Sequence, residues 1–175
     1  MKISCNKIDI KKLTKDDALV VNLYHGETSA NLPLDLSTLV STLISSGEFK
    51  PDCNSTYQVF PLFKYPFRFL LVGSGKRADF DQNKARENVG SAIRFLHSKK
   101  AKRAFFNLDL KESEETIRAV AEGAVLASFD HEIYKSKKEK LSLTELVFDF
   151  STTSAERAAA QGQLVAEAVN WARNM

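Results

Sequence analysis

Two cysteines, Cys5 and Cys53, are all that the 175 residues contain. They are too few and too far apart for a disulfide framework, and with no C-x-x-C pair neither zinc-ribbon nor dithiol redox chemistry has its usual ligands. Both are expected to be buried thiols. Prolines number four and glycines seven, and no low-complexity tract, internal repeat or long linker interrupts the chain. Long apolar runs are also missing: no stretch approaches the roughly 18 residues that a membrane span requires, and neither end carries a charged segment leading into one. The expectation is a soluble, cytoplasmic protein with no membrane partner.

What the sequence does contain suits one globular domain. Hydrophobic residues make up 43% of it, enough for a real core at this length but not for a second full domain. The formal charge is only +3, unevenly placed, with basic residues gathered at residues 99–103 and 135–140. Such clusters suit a solvated loop better than a nucleic-acid surface.

Apolar residues alternate over residues 2–10 and 18–24, which predicts two strands separated by a polar turn. After Pro33, the spacing of Leu36, Leu39, Val40, Leu43 and Ile44 predicts a helix that Gly47 ends. Strands follow over 56–63 and 68–72 with Pro66 between them, and the second is apolar enough to be covered on both faces. Asp81 can cap a helix with the stripe Ala85, Val89, Ala92, Ile93, Leu96. A strand over 103–108, a helix with Ile117, Val120, Ala121, Ala124 and Val125 inward, and a strand over 143–150 come next. Thr153-Ser154-Ala155-Glu156 reads as a capping box. It opens a last helix whose buried side is expected to hold Leu164, Val165, Ala168 and Ala172.

Strand followed by helix, three times over in the second half, predicts an α/β fold: a three-layer α/β/α arrangement around a mixed, mostly parallel sheet. The first two strands can pair at one edge. The last helix is still amphipathic where the sequence stops, as in a piece of something longer.

Candidate chemistry is sparse. The segment Gly73-Ser74-Gly75-Lys76 follows an apolar strand, as nucleotide-binding loops do. Walker-type phosphate binding needs G-x-x-x-x-G-K-[ST], yet Leu70 stands at the first glycine position and Arg77 at the hydroxyl position. Gly73, Gly75 and Ala78 fit the looser dinucleotide spelling. That site needs a helix to start at once, whereas the first cap is Asp81, and Asp79 and Asp81 repel an anion. The segment is expected to be a turn.

Asp130-His131-Glu132 offers metal-type ligands, but neighbours on a helix point in different directions. His25 and His97 have no acidic or cysteine neighbours at ligand spacing and are expected at ordinary surface or boundary positions. Glu114 and Glu115 suit the first turn of a helix. No G-x-S-x-G elbow exists, Gly73-Ser74-Gly75 being one residue short. No catalytic, cofactor-binding or metal-binding residue is assigned.

Three stretches together resemble the N-terminal domain of the leucine aminopeptidase family, also called cytosol aminopeptidases or peptidase family M17. They are Leu71-Val-Gly-Ser-Gly-Lys76, the helix Ala121-Glu-Gly-Ala-Val-Leu-Ala-Ser128 running on to Tyr134-Lys-Ser-Lys-Lys138, and Gly162-Gln-Leu-Val-Ala-Glu-Ala-Val-Asn-Trp-Ala-Arg-Asn174. Ser74 replaces a usual leucine, and His131 stands where an aromatic is common. The resemblance implies a macro-domain-like fold in which residues 1–175 form a single non-catalytic accessory domain, helping assembly of the full-length hydrolase or access to its active site.

By the same resemblance, two divalent metals, zinc or manganese, belong to a catalytic domain absent from this chain, with its Asn-Thr-Asp-Ala-Glu-Gly-Arg-Leu motif. The parent is implied to be a homohexameric leucyl aminopeptidase, and this chain alone a monomer or weak dimer without activity. Two other readings remain open: a macro-like module binding ADP-ribose or another nucleotide near Gly73 to Lys76, and nucleic-acid binding through Lys99, Lys100, Lys102, Arg103 and the lysines of 135–140. Phe105 and Phe106 are read as core rather than as stacking platforms.

Overall fold

A computed structural model describes residues 1–27, 32–59, 64–108, 113–129, 142–150 and 152–173. The described elements run β1 (Lys2–Cys5), β2 (Asp17–Leu23), α1 (Leu34–Ser45), β3 (Thr56–Val59), β4 (Arg68–Gly73), α2 (Gln82–Ser98), β5 (Arg103–Asn107), α3 (Glu114–Ala127), β6 (Glu145–Phe148) and α4 (Thr153–Arg173). Side-chain alternation along the central strands explains the layering. On β2, Ala18 and Val20 face α2, α3 and α4, whereas Leu19, Val21 and Leu23 face α1. A strand apolar on both sides must be covered on both sides, and the result is a three-layer α/β/α domain.

The sheet order is β1-β6-β5-β2-β4-β3. All neighbours are parallel except β3, which runs antiparallel to β4. The mixed character therefore arises at β3. The expected pairing of the first two strands does not occur: β1 pairs with β6 at the far edge, and β2 lies between β5 and β4. Closeness in sequence misleads here because β1 stops at Cys5 and residues Ile10–Lys12 form a 3-10 turn, with Asp9 accepting a hydrogen bond from the Lys11 N–H at 3.1 Å. That turn carries the chain away from β1.

Helices α1, α2 and α3 form where their predicted stripes fall. Leu36 and Val40 bury the inner face of α1, and Gly47, at φ +78°, ends the helix in the left-handed conformation that suits glycine. Asp81 caps α2 by accepting from the Lys84 N–H at 2.8 Å, and the whole predicted stripe of that helix is buried. Glu114 and Glu115 occupy the first turn of α3. Leu146, Phe148 and Phe150 share the face buried under α3 and α4.

Helix α4 departs from expectation at both its start and its face. Its cap is Thr152, whose hydroxyl accepts from the Ala155 N–H at 3.2 Å. Glu156 therefore lies one position too far along for the predicted box. The buried face holds Ala155, Ala158, Ala159, Gly162 and Ala166, while Leu164, Val165, Ala168 and Ala172 face solvent. The reason is helix spacing: a Cβ on Gly162 would stand 2.3 Å from the carbonyl oxygen of Arg118 on α3. Two helices approach that closely only through small residues, so the larger apolar side chains are left on the outside.

Candidate functional site: the strand-end turn and the outer face of α4

In open α/β sheets, ligands gather outside the carboxyl ends of the strands. Here those ends hold Leu23 of β2 and Gly73 of β4, and the glycine segment lies beside them. A Cβ on Gly73 would stand 2.2 Å from the Asp52 carbonyl oxygen and 2.3 Å from the Ser55 hydroxyl, and Gly75 has φ +71°. Both glycines are demanded by the backbone itself.

A phosphate cradle needs backbone N–H groups free to point at the anion. Three successive N–H groups of this turn are already donated within the chain: Gly73 to Ser55 O at 2.8 Å, Ser74 to Leu23 O at 2.8 Å, and Gly75 to Pro51 O at 2.8 Å. The Gly75 carbonyl in turn accepts from the His25 N–H at 2.9 Å. Arg77 grips Glu27 through Nε at 2.7 and 2.8 Å and also stacks over the Tyr24 ring, 4.1 Å from its centroid. The geometry is that of a turn stitching β2, β4 and the 51–55 loop together.

Beneath the turn lies a buried polar cluster. The Ser74 hydroxyl donates to the Asn22 side-chain oxygen, and the Asn88 amide donates to the Gly73 carbonyl at 2.6 Å and to the Ser74 oxygen at 3.3 Å. All three residues are buried. This cluster pins α2 to the strand ends, since polar groups out of water are held by the partners they find. The signal for it in the sequence was a lone asparagine within the apolar run of β2.

The other singled-out residues do not converge. His25 forms a surface pair with Asp52, Nε2 to Oδ1 at 3.0 Å, while half-buried His97 has no side-chain hydrogen-bond partner among the described residues and burial lowers its pKa. Cys5 is buried as expected, and its thiol pKa is pushed up by burial and then by the Glu156 charge. Cys53 is exposed, contrary to expectation, because it sits on the loop that crosses the glycine turn. In the first basic cluster, Lys102 pairs with Asp16 at 2.9 Å and Arg103 with Asp17 at 2.7 Å, and Ala101 between the lysines is buried. Phe106 is core, and Phe105 packs against the α1 layer. Asp130-His131-Glu132, Tyr134 to Lys138 and the lysines of 135–140 lie outside the described residues. Among the described residues no group of three or more His, Cys, Asp or Glu side chains could hold a metal ion, and no helix is long and apolar enough to cross a membrane.

What remains unexplained by the core is the outer face of α4. Leu164 is 69% exposed, Val165 49%, Val169 40% and Trp171 68%. Fold and site thus define an α/β/α domain with its strand ends closed by its own backbone and an apolar helix face turned outward. The sequence profile of the N-terminal domain of the cytosol aminopeptidase family matches residues 20–138. A probable cytosol aminopeptidase from Solibacter usitatus is 32% identical over 91% of this chain and 32% of its own length, and one from Acidobacterium capsulatum is 30% identical over 80% and 29%.

The chain therefore belongs to the cytosol aminopeptidase family, as its N-terminal domain, and spans about a third of the length of the curated relatives it matches. Solved structures of longer enzymes share the fold. A tomato leucine aminopeptidase mutant aligns with a TM-score of 0.72 at 20% identity, covering 97% of this chain and 36% of that one. The bottromycin maturation enzyme BotP in complex with Mn aligns with a TM-score of 0.67 at 23% identity, covering 90% and 31%.

Proposed function

We propose that this chain acts as the non-catalytic N-terminal accessory domain of a cytosolic, metal-dependent leucyl aminopeptidase, contributing to its assembly or to access to its active site. The observation that carries this reading is the outward apolar face of α4. A stripe containing leucine, two valines and a tryptophan marks a surface that another body covers. The relatives are about three times as long as this chain, so the rest of such a polypeptide is the natural cover. A second copy is a poorer fit, because a stable dimer buries about 800 Å² per partner and four side chains fall short of that. An attached domain needs less area, since a short linker holds it at roughly millimolar effective concentration.

On this reading the chemistry belongs to the larger part. Two divalent metals, zinc or manganese, would there polarise a peptide carbonyl and activate water. The described residues here supply no ligand set, so no step is assigned to them. On the same reading the hexamer contacts belong to that larger part, and the present chain by itself is a monomer or weak dimer.

The test uses the purified chain and a chimaera in which residues 1–175 replace the matching third of the Solibacter usitatus relative. With leucine anilide and added manganese, the chimaera hydrolyses substrate and the lone chain does not. Chelator-sensitive turnover by the lone chain would overturn the reading, as would a folded chimaera whose assembly and rate ignore substitutions on the α4 face.

A further inference from the structure

Helices α2, α3 and α4 meet at a cleft of about 310 Å³ that carries more positive charge than the fold uses. Arg94 of α2 and Arg173, in the last turn of α4, line it from different helices, with Gly123, Leu126 and Ala127 of α3 between them. Both arginines are exposed. Each makes one long hydrogen bond to a neutral neighbour, Arg94 to the Ser91 hydroxyl and Arg173 to the Asn170 side-chain oxygen, both at 3.3 Å. Arg173 also lies over the Phe129 ring, 5.6 Å from its centroid, and neither guanidinium pairs with a carboxylate among the described residues.

The third arginine of the cleft shows the contrast. Glu122 takes both Nε of Arg86 at 2.9 Å and Nη2 at 2.7 Å, and Asn83 takes Nη1 at 2.8 Å, so this fork is already filled. Glu87 is the carboxylate that lines the cleft, and it accepts from the Asn54 amide at 3.3 Å. Two open guanidiniums against one carboxylate leave the cleft positive.

Gly90, also lining the cleft, is a second and independent observation. A Cβ there would meet nothing nearer than Arg94 Nη1 at 3.4 Å, Ala127 Cβ at 3.6 Å and Gly123 O at 3.7 Å, so packing does not demand glycine as it does at Gly123. Glycine inside a helix is destabilising relative to alanine. What the missing methyl leaves here is room beside Arg94.

We propose that this cleft binds the phosphate group of a small phosphomonoester. Such a group carries nearly two negative charges at neutral pH and offers three terminal oxygens. One guanidinium fork takes two of them and the other guanidinium takes the third, an arrangement that a single carboxylate, with two oxygens, does not complete. The volume lies at the small end of ligand pockets, which run from roughly 300 to 1,000 Å³. Leu126 and Ala127 give the organic part of the ligand an apolar shelf.

The proposal does not rest on the outer face of α4, and its test reads this chain alone, so its failure leaves the chimaera experiment standing and the reverse also holds. Phenyl phosphate is titrated into ¹⁵N-labelled protein. The Gly90 and Gly123 amide signals and the Nε–H signals of Arg94 and Arg173 shift and saturate, inorganic phosphate binds more weakly, and benzoate at the same concentration leaves them in place. Arg94→Gln and Arg173→Gln each weaken phenyl phosphate by about tenfold, the share of one charge-assisted fork. Arg157→Gln, an exposed arginine of α4 that does not line the cleft, changes nothing. Gly90→Ala stabilises the free chain yet weakens the ligand by about tenfold, a split that a purely structural glycine does not produce. The proposal is overturned by the absence of saturable shifts at millimolar phenyl phosphate, by benzoate binding as tightly, by equal losses in the Arg157 and Arg94 variants, or by an unchanged affinity in Gly90→Ala.

Discussion

Asp17 and Arg103 sit directly opposite each other on β2 and β5 and are joined twice, Nε to Oδ1 at 2.7 Å and Nη2 to Oδ2 at 2.8 Å. Asp17 is fully buried, whereas the Arg103 side chain is 40% exposed. Burial alone pushes the Asp17 carboxyl upward. The Arg103 hydrogen bonds, with those from the Thr14 N–H at 2.7 Å and hydroxyl at 2.9 Å, outweigh it and hold the pKa below the ordinary carboxylate value.

Removing one partner strands the other. Arg103→Ala leaves a buried carboxylate with only Thr14 for company, and the expected loss is about 3 kcal/mol, the low end for a broken buried pair because Arg103 is partly solvated. Asp17 contributes stability that is fully present above its unfolded pKa of about 3.9 and is lost as pH falls through the lower folded value. Urea titrations from pH 7 down to pH 2 should show the wild-type advantage over the variant shrinking as pH falls, first where the stranded Asp17 of the variant takes up a proton and then, below about pH 4, where the wild-type carboxylate does. A gap that stays constant across that range would remove Asp17 as the cause.

Glycines inside helices give opposite signs according to what surrounds them. A Cβ on Gly162 would meet the Arg118 carbonyl at 2.3 Å, and one on Gly123 the Arg86 carbonyl at 2.2 Å, whereas on Gly90 the nearest atom is the mobile Arg94 Nη1 at 3.4 Å. Gly162→Ala and Gly123→Ala should therefore each cost about 1–3 kcal/mol by overpacking, despite better helix propensity. Gly90→Ala should stabilise by up to about 1 kcal/mol. Chemical denaturation of the three variants decides it, and three effects of one sign would contradict the helix spacing described.

Adjacent threonines separate the cap from its neighbour. Thr152→Ala removes the acceptor for the Ala155 N–H and should cost about 1 kcal/mol. Thr153→Ala, one residue inside the helix, should be neutral or slightly favourable through helix propensity. Melting curves that rank the two the other way would restore Thr153 as the cap.

Local patterns announced most of these elements, and what they missed is long-range. The stripe of α2 and the cap at Asp81 were legible because apolar spacing and a capping aspartate act within a few residues. The partner of β1 was not, because Cys5 pairs opposite Phe148 at the other end of the chain, and nothing near Cys5 encodes that. Nor was the face of α4: its largest apolar residues suggested the core, but the Gly162–Arg118 approach selects alanine and glycine for burial. The glycine turn showed the reverse case. Its spelling allowed a phosphate, and only the destinations of the Gly73, Ser74 and Gly75 N–H groups, set by residues 51–55 and by Leu23, make it a turn.

Trp171 is the sole tryptophan in the chain, so its fluorescence reports on the α4 face without interference. In the lone chain the emission should be that of a solvated indole, readily quenched by acrylamide. Leu164→Gln combined with Trp171→Gln should change folding stability by no more than about 0.5 kcal/mol, as expected of surface positions with few contacts to lose. Ala166→Leu, on the buried face one turn away, should cost about 1–3 kcal/mol by overpacking against α3. Covering the face reverses the optical behaviour: in the aminopeptidase chimaera, with the relative's own tryptophans replaced, the emission should shift to the blue and quenching should fall. A tryptophan already shielded in the lone chain, or a double glutamine variant that loses several kcal/mol, would mean that this chain covers its own helix, and the stripe would then be core rather than interface.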